Sequence, residues 1–194
     1  MVHRLKALLP LAFWSISALV HAAPKVSICI PTYSAEPWLP AALDSACGQT
    51  LGDIEIVCVD DGSRDGSLAI LKSYAAKDPR IRVLENGTNR GTHYSRIRAI
   101  LAAEGEFILW LDSDDELFPD IAEKAFAKAE AMGADIVLYG AEFYGRMGKR
   151  IQSPWHRMRL PETEGRLDSD GLIDQVIEGN ISPTCWDKLW RREC

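Results

Sequence analysis

An α/β fold with a mostly parallel sheet flanked by helices is what this chain predicts, and two observations carry it. Short β-branched apolar runs alternate with stretches whose apolar residues recur at helical spacing. That is the pattern of right-handed strand–helix–strand crossovers, which cover a parallel sheet on both faces. The second observation is that polar segments follow three of the apolar runs: Pro31-Thr32-Tyr33, Asp60-Asp61-Gly62-Ser63 and Asp112-Ser113-Asp114. In such sheets ligands bind beyond the carboxyl ends of the strands, so the three segments are expected to face one crevice.

The elements follow in order. Val26 to Ile30 is a strand stopped by Pro31, and Trp38, Leu39, Ala42, Leu43 and Ala46 then mark a helix. Ile54 to Val59 repeats the strand signal, and Leu68, Leu71, Tyr74 and Ala75 give a second helical face. Ile81 to Leu84 predicts a third strand, His93 to Ala103 a third helix, and Phe107 to Leu111 a fourth strand. Beyond it come a helix over Asp120 to Ala131, a strand over Asp135 to Tyr139 and an Arg-rich stretch. Helical patterns near Leu172 to Ile177 and Trp186 to Arg191 close the chain. In the last, Trp186, Leu189 and Trp190 are spaced like the apolar face of a terminal helix, which leaves its charges in water.

At 194 residues, 47% hydrophobic and 26% charged, the chain is long enough for one domain with a real core. A formal net charge of -6 provides no broad basic surface, which excludes nucleic acid as the expected partner. Five cysteines form no Cys-x-x-Cys pair; Cys29 and Cys58 lie in strand-like runs, where a thiol usually acts as a small buried hydrophobe. The histidines lack ligand spacing and are read as non-catalytic.

Residues 1–23 stand apart from the domain, which spans 25–194. His3, Arg4 and Lys6 precede the apolar run Ala7 to Val20, and small residues suited to cleavage follow at Ala22 and Ala23. As a helix that run reaches roughly 21 Å, short of a hydrocarbon core of about 30 Å. A secretory signal peptide is the first expectation, a membrane anchor the second, and a misassigned start the third.

The junction from Gly105 to Asp115 is the most informative stretch, because a buried-strand pattern ends abruptly in carboxylates. Asp112 and Asp114 are two apart, so in extended chain they share a face, where their repulsion calls for a cation. Oxygen ligands suit Mg2+ or Mn2+. The plainer reading is that Asp114, Asp115 and Glu116 gather at the start of the helix that follows. Elsewhere, Asp61, Ser63, Asp65 and Gly66 imitate a calcium loop, but Lys72 stands where a bidentate Glu is required. Neither a dinucleotide fingerprint nor a phosphate-binding Gly-x-x-x-x-Gly-Lys loop is present. A bound diphosphate would therefore be met by metal, not by a glycine-rich loop.

Taken together, Val26 to Tyr33, Glu55 to Ser67, Asn89-Arg90-Gly91 and Gly105 to Asp115 resemble the family 2 glycosyltransferases of GT-A fold, in order and spacing from about Lys25 to Phe118. The resemblance implies a nucleotide-diphosphate sugar donor, bound by Pro31, Tyr33, Glu36, Asp61, Asp112 and Ser113. Pro31 and Tyr33 would line the base pocket and Asp61 would accept a hydrogen bond from the base. Asp112 would face ribose and metal, Asp114 would ligate the metal, Asp60 would be structural, and Arg90 would reach the nucleotide. Ile97 departs from the Asn that many relatives carry after an Arg.

The implied chemistry is transfer of the sugar to a hydroxyl of a glycan or lipid-linked acceptor, with a carboxylate taking the proton. The family's base lies in an acidic motif downstream of the residues matched here. Cys194 comes before it, so a domain truncated ahead of its catalytic base is expected. Asp187 is the one acid placed to substitute, with Lys188 or Arg191 toward phosphate. Two readings stand: a metal-dependent transferase of cell-surface glycan synthesis, or a GT-A module that binds the donor without turnover. A sugar nucleotidyltransferase would need a glycine-rich opening loop that is absent. Localisation is divided, since the N-terminus predicts export or anchoring while the family's function predicts the cytoplasmic face of the inner membrane.

Overall fold

The structure is a computed structural model that describes residues 23–144, 150–151, 168, 170–171, 173–174 and 184–193. Strands β1 (Val26–Thr32), β2 (Ile54–Asp60), β3 (Ile81–Glu85) and β4 (Phe107–Trp110) alternate with helices α1 (Leu39–Cys47), α2 (Ser67–Ala75) and α3 (Thr92–Ala102). Helix α4 (Ile121–Met132) leads to β5 (Ile136–Leu138), then to the two-residue strands β6 (Phe143–Tyr144) and β7 (Arg150–Ile151), and β8 (Lys188–Arg191) comes last. The main sheet has six strands in the order β3-β2-β1-β4-β8-β5, while β6 and β7 pair with each other. Pairing is parallel from β3 to β4, and β8 runs antiparallel between β4 and β5.

Every residue of β1, β2 and β4 is buried, as expected of parallel strands covered on both sides. Alternate side chains enter different cores. Ile28, Ile30, Ile56 and Leu109 pack with Leu39, Leu43, Leu71 and Ala125 of helices α1, α2 and α4. Cys29, Val57, Val59, Ile108 and Trp110 pack with Ala99 and Ala103 at the other face, beneath α3. Each fully buried Leu or Ile contributes about 1.5–3 kcal/mol of transfer free energy. Cys29 and Cys58 are free and buried, and burial pushes both thiols well above the usual range, so they act as core hydrophobes. Helix α4 stops at Gly133, whose φ of 56° is the left-handed cap that glycine adopts without strain.

At the amino edge of the sheet, Ser27 Oγ donates to Glu55 Oε1 at 2.6 Å, and the Gly105 amide donates to Ser27 Oγ at 2.9 Å. These bonds lock β1, β2 and the entry to β4 in register, so their carboxyl ends meet at the opposite edge.

The terminal segment corrects the expected helix. Lys188 to Arg191 form β8, with Leu109 opposite Leu189 and Val137 opposite Leu189 on the other side. Leu189 enters one core and Trp190 packs on the other, so strand alternation and two open sheet edges outweigh the local helical spacing. The charges there are not in water either: Asp187 and Lys188 are 8% and 3% exposed. Asp170, Gly171, Ile173 and Asp174 are helical, whereas the rest of the pattern near Leu172 to Ile177 lies outside the described residues. So do residues 1–22, and with them the expected leader or anchor, as does most of the Arg-rich stretch. No described helix is long and apolar enough to cross a membrane.

Candidate functional site

The sheet register brings the polar segments together, with Thr32 beside Asp60 and Asp60 beside Glu85. The loop after β1 is fastened to the loop after β2 by short bonds. The Ser34 amide donates to Ser63 Oγ at 3.0 Å, Ala35 to Ser67 Oγ at 2.8 Å, and Glu36 to Asp65 Oδ2 at 3.1 Å. In return the Gly66 amide donates to Glu36 Oε2 at 2.7 Å. Glu36 thus holds the start of α2. Its side chain serves as a loop clasp, a role that its exposed loop position did not suggest.

Asp60 turns its own loop: Oδ2 accepts the Gly62 and Ser63 amides at 3.1 and 3.2 Å. Its Oδ1 is buried with no partner among the described residues. Asp61, 2% exposed, is the hub that joins the loops after β2 and β3. Its Oδ1 accepts Asn86 Nδ2 at 2.6 Å and the Arg90 amide at 2.8 Å, and Oδ2 accepts the Gly91 amide at 2.8 Å. Burial pushes its pKa up, but hydrogen bonds from Asn86, Arg90 and Gly91 more than offset that and hold the carboxyl below the usual range. Asn86 continues the network by donating to Ser95 Oγ at 2.9 Å, and its own Oδ1 accepts Arg98 Nη1.

The remaining expected residues separate by depth. Pro31 is buried within β1, whereas Tyr33 is 44% exposed at the rim. Arg90 lays its guanidinium over the Tyr94 ring at 4.3 Å, away from the Asp61 carboxylate that its amide contacts. Beyond β4, the Asp115 amide donates to the Asp112 carbonyl at 3.0 Å, a turn that exposes Asp114 and leaves Ser113 half-buried. Asp112 is half-buried, and its Oδ1 accepts Arg96 Nη2 at 2.9 Å. Next to them opens a cavity of about 590 Å3 whose walls include His93, Ile97, Ile100, Trp110 and Trp186, so Ile97 lines it with a methyl-rich surface. Asp115 is exposed; crowding by its neighbours, then repulsion from Asp114 and Asp112, pushes its carboxyl up to about 6.

This donor set fits Mg2+ or Mn2+. Among the described residues no group of three His, Cys, Asp or Glu side chains is arranged to hold an ion by itself. Those ions commonly take only one or two protein carboxylates and complete their shell with water and phosphate oxygens, which Asp112 and Asp114 match.

Asp187 accepts Thr184 Oγ1 at 3.2 Å and is paired with Lys188 Nζ, which also donates to the Thr184 carbonyl at 2.6 Å. Arg191 lies elsewhere. It pairs with Glu106 and Asp135 and covers Phe107, at the amino end of β4, because β8 runs antiparallel to that strand.

Sequence reasoning overlooked Asn86 and Ser95, and met Arg96 only as the Arg that precedes Ile97. The Asn86-Gly87 pair signals only a turn, and nothing in the spacing of Ser95 and Arg96 on α3 shows which loops their side chains meet.

The chain is similar to known proteins over most of this region. The profile of Glycosyl transferase family 2 matches residues 27–185. The chain is 35% identical to the putative glycosyltransferase EpsH of Bacillus subtilis, over 87% of this chain and 47% of that protein. It is 39% identical to the poly(ribitol-phosphate) beta-glucosyltransferase of Bacillus spizizenii, over 82% of this chain and 24% of that one. Among solved structures, S. aureus TarS 1-349 in complex with UDP-GlcNAc superimposes with a TM-score of 0.65 at 29% identity, covering 87% of this chain and 45% of that one. The chain spans about half the length of the first curated relatives it matches.

Proposed function

This chain belongs to glycosyl transferase family 2 and has the GT-A fold, and from that premise we propose that it binds a nucleotide-diphosphate sugar and transfers the sugar to an acceptor hydroxyl. The acceptor class is a glycan or a lipid-linked acceptor of the cell surface; the B. spizizenii relative is named for glucosyl transfer to poly(ribitol-phosphate). One observation carries the reading. The Asp61 hub and Asp112 follow β2 and β4, the two strands that flank β1 in a sheet locked in register, so nucleotide and diphosphate groups have polar anchors on either side of the end of β1.

Tyr33 at the rim offers an aromatic face for the base, and Asp61 fixes the loop of Arg90 and Gly91 beneath it. Asp112 and Asp114 would hold Mg2+ or Mn2+, which when bound supplies charge stabilisation on the departing diphosphate. Ile97, Trp110 and Trp186 give the neighbouring cavity an apolar wall beside Asp112. The donor is made in the cytoplasm, so the same reading puts the domain on that side, with the N-terminal apolar segment at the membrane. N-terminal sequencing tests this, and a mature terminus at Ala23 or Pro24 contradicts it.

A module that binds the donor without turnover is the second reading, favoured by the burial of Asp187 against Lys188, which occupies the one acid offered as a substitute base. Incubation with a panel of nucleotide sugars and Mn2+, followed by chromatography of the released nucleotide, separates the two. Release of a nucleoside diphosphate from one donor supports the transferase. Binding without release supports the module, and neither binding nor release contradicts both.

A further inference from the structure

Arg96 has no task in the function proposed above, yet it touches the carboxylate on which that function most depends. Its Nη2 lies 2.9 Å from Asp112 Oδ1, a single contact rather than a bidentate one. Its Nε is buried and has no partner among the described residues. The guanidinium carbon is 5.7 Å from the centre of the Trp110 ring, and the side chain borders the cavity next to Asp112. Arg96 and Asp112 retain 29% and 31% of their side-chain exposure, so the pair is only half withdrawn from water and contributes little to stability. An arginine placed for stability alone would satisfy its Nε and clasp the carboxylate with both forks.

We propose that Arg96 is a positioning residue, the resident counter-cation of Asp112, and that it competes with a divalent cation for that carboxylate. With no ion bound, the guanidinium offsets the charge of Asp112 and aims it at the crevice, which limits repulsion among Asp112, Asp114 and Asp115. When an ion engages Asp112, like charges a few ångströms apart repel, and the guanidinium has a cavity of about 590 Å3 beside it into which to turn. There its unpaired Nε–H gains access to solvent or to an anionic ligand. Ion and donor binding are thereby linked: the ion releases a cation to the side from which a diphosphate arrives.

The inference rests on the proposed donor site, and its test separates the two. Mn2+ alone is titrated into the protein, and binding is read from the relaxation rate of water protons, with no nucleotide or turnover involved. R96M and R96Q, which remove the charge, are expected to bind Mn2+ roughly two- to fivefold more tightly than the wild type, the range of a half-exposed ion pair. R96K, which keeps the charge, is expected to stay near the wild type, and D114N to bind more weakly than any of them. Equal or weaker Mn2+ binding by both R96M and R96Q, with D114N still impaired, overturns the counter-cation role and leaves the donor site standing. Absence of Mn2+ binding by every protein overturns both.

Discussion

Asp61 Oδ2 accepts the Gly91 amide at 2.8 Å, which ties the end of β2 to the first turn of α3 across 30 residues of chain. The same carboxylate takes the Arg90 amide and the Asn86 side chain, so one buried group orders the whole β3–α3 loop. Asp61→Asn keeps the shape but offers an NH2 group to one set of these donors. The expected cost is about 1–3 kcal/mol, because a buried donor loses its acceptor. Nucleotide-sugar affinity falls with it. Urea unfolding with and without donor checks both effects, and an unchanged midpoint would remove the hub role.

Gly62 has a φ of 72°, and a Cβ placed there would lie 2.7 Å from the Thr88 backbone. The β2 loop and the loop after β3 touch at this point without room for a side chain. Gly62→Ala is therefore expected to destabilise the fold by more than the ~1 kcal/mol of a left-handed conformation alone. A thermal midpoint within experimental error of the wild type would show that the loops can separate at no cost.

Acid sensitivity should centre on Asp78 as well as Asp61. Hydrogen bonds from Arg80, at 2.7 Å to Oδ2, hold the Asp78 carboxyl below the usual range. A lowered folded-state value contributes stability that is present above the unfolded value of about 3.9 and is lost as pH falls through the folded one. Asp78→Asn should lower stability at pH 7 and flatten its decline below about pH 4. Urea midpoints measured from pH 7 to pH 3 test this, and parallel curves for the two proteins would contradict it.

Most of this architecture is legible in the sequence. β1, β2 and β4 are fully buried, so they read as largely apolar runs, and the polar segments at their ends mark the candidate site without any knowledge of packing. The end of the chain reads wrongly because Trp186, Leu189 and Trp190 fit a helical face, and only the gap between β4 and β5 makes Leu189 a strand residue. Asp187 and Lys188 look solvated for the same reason. Within the site, the carboxylates are visible as a motif, but their partners are not. Arg96 and Asn86 meet Asp112 and Asp61 across 16 and 25 residues, and such pairings arise from the crossover geometry of the sheet.

The central claim is that Asp112 and Asp114 let the carboxyl edge of the sheet hold a nucleotide-diphosphate sugar together with a divalent ion. Calorimetric titration of UDP-GlcNAc and other nucleotide sugars, with and without Mn2+, tests it most directly in the wild type and Asp114→Ala. The account predicts Mn2+-dependent binding of one donor by the wild type and its loss in the variant. Equal affinity in the two proteins, or binding indifferent to Mn2+, would contradict it.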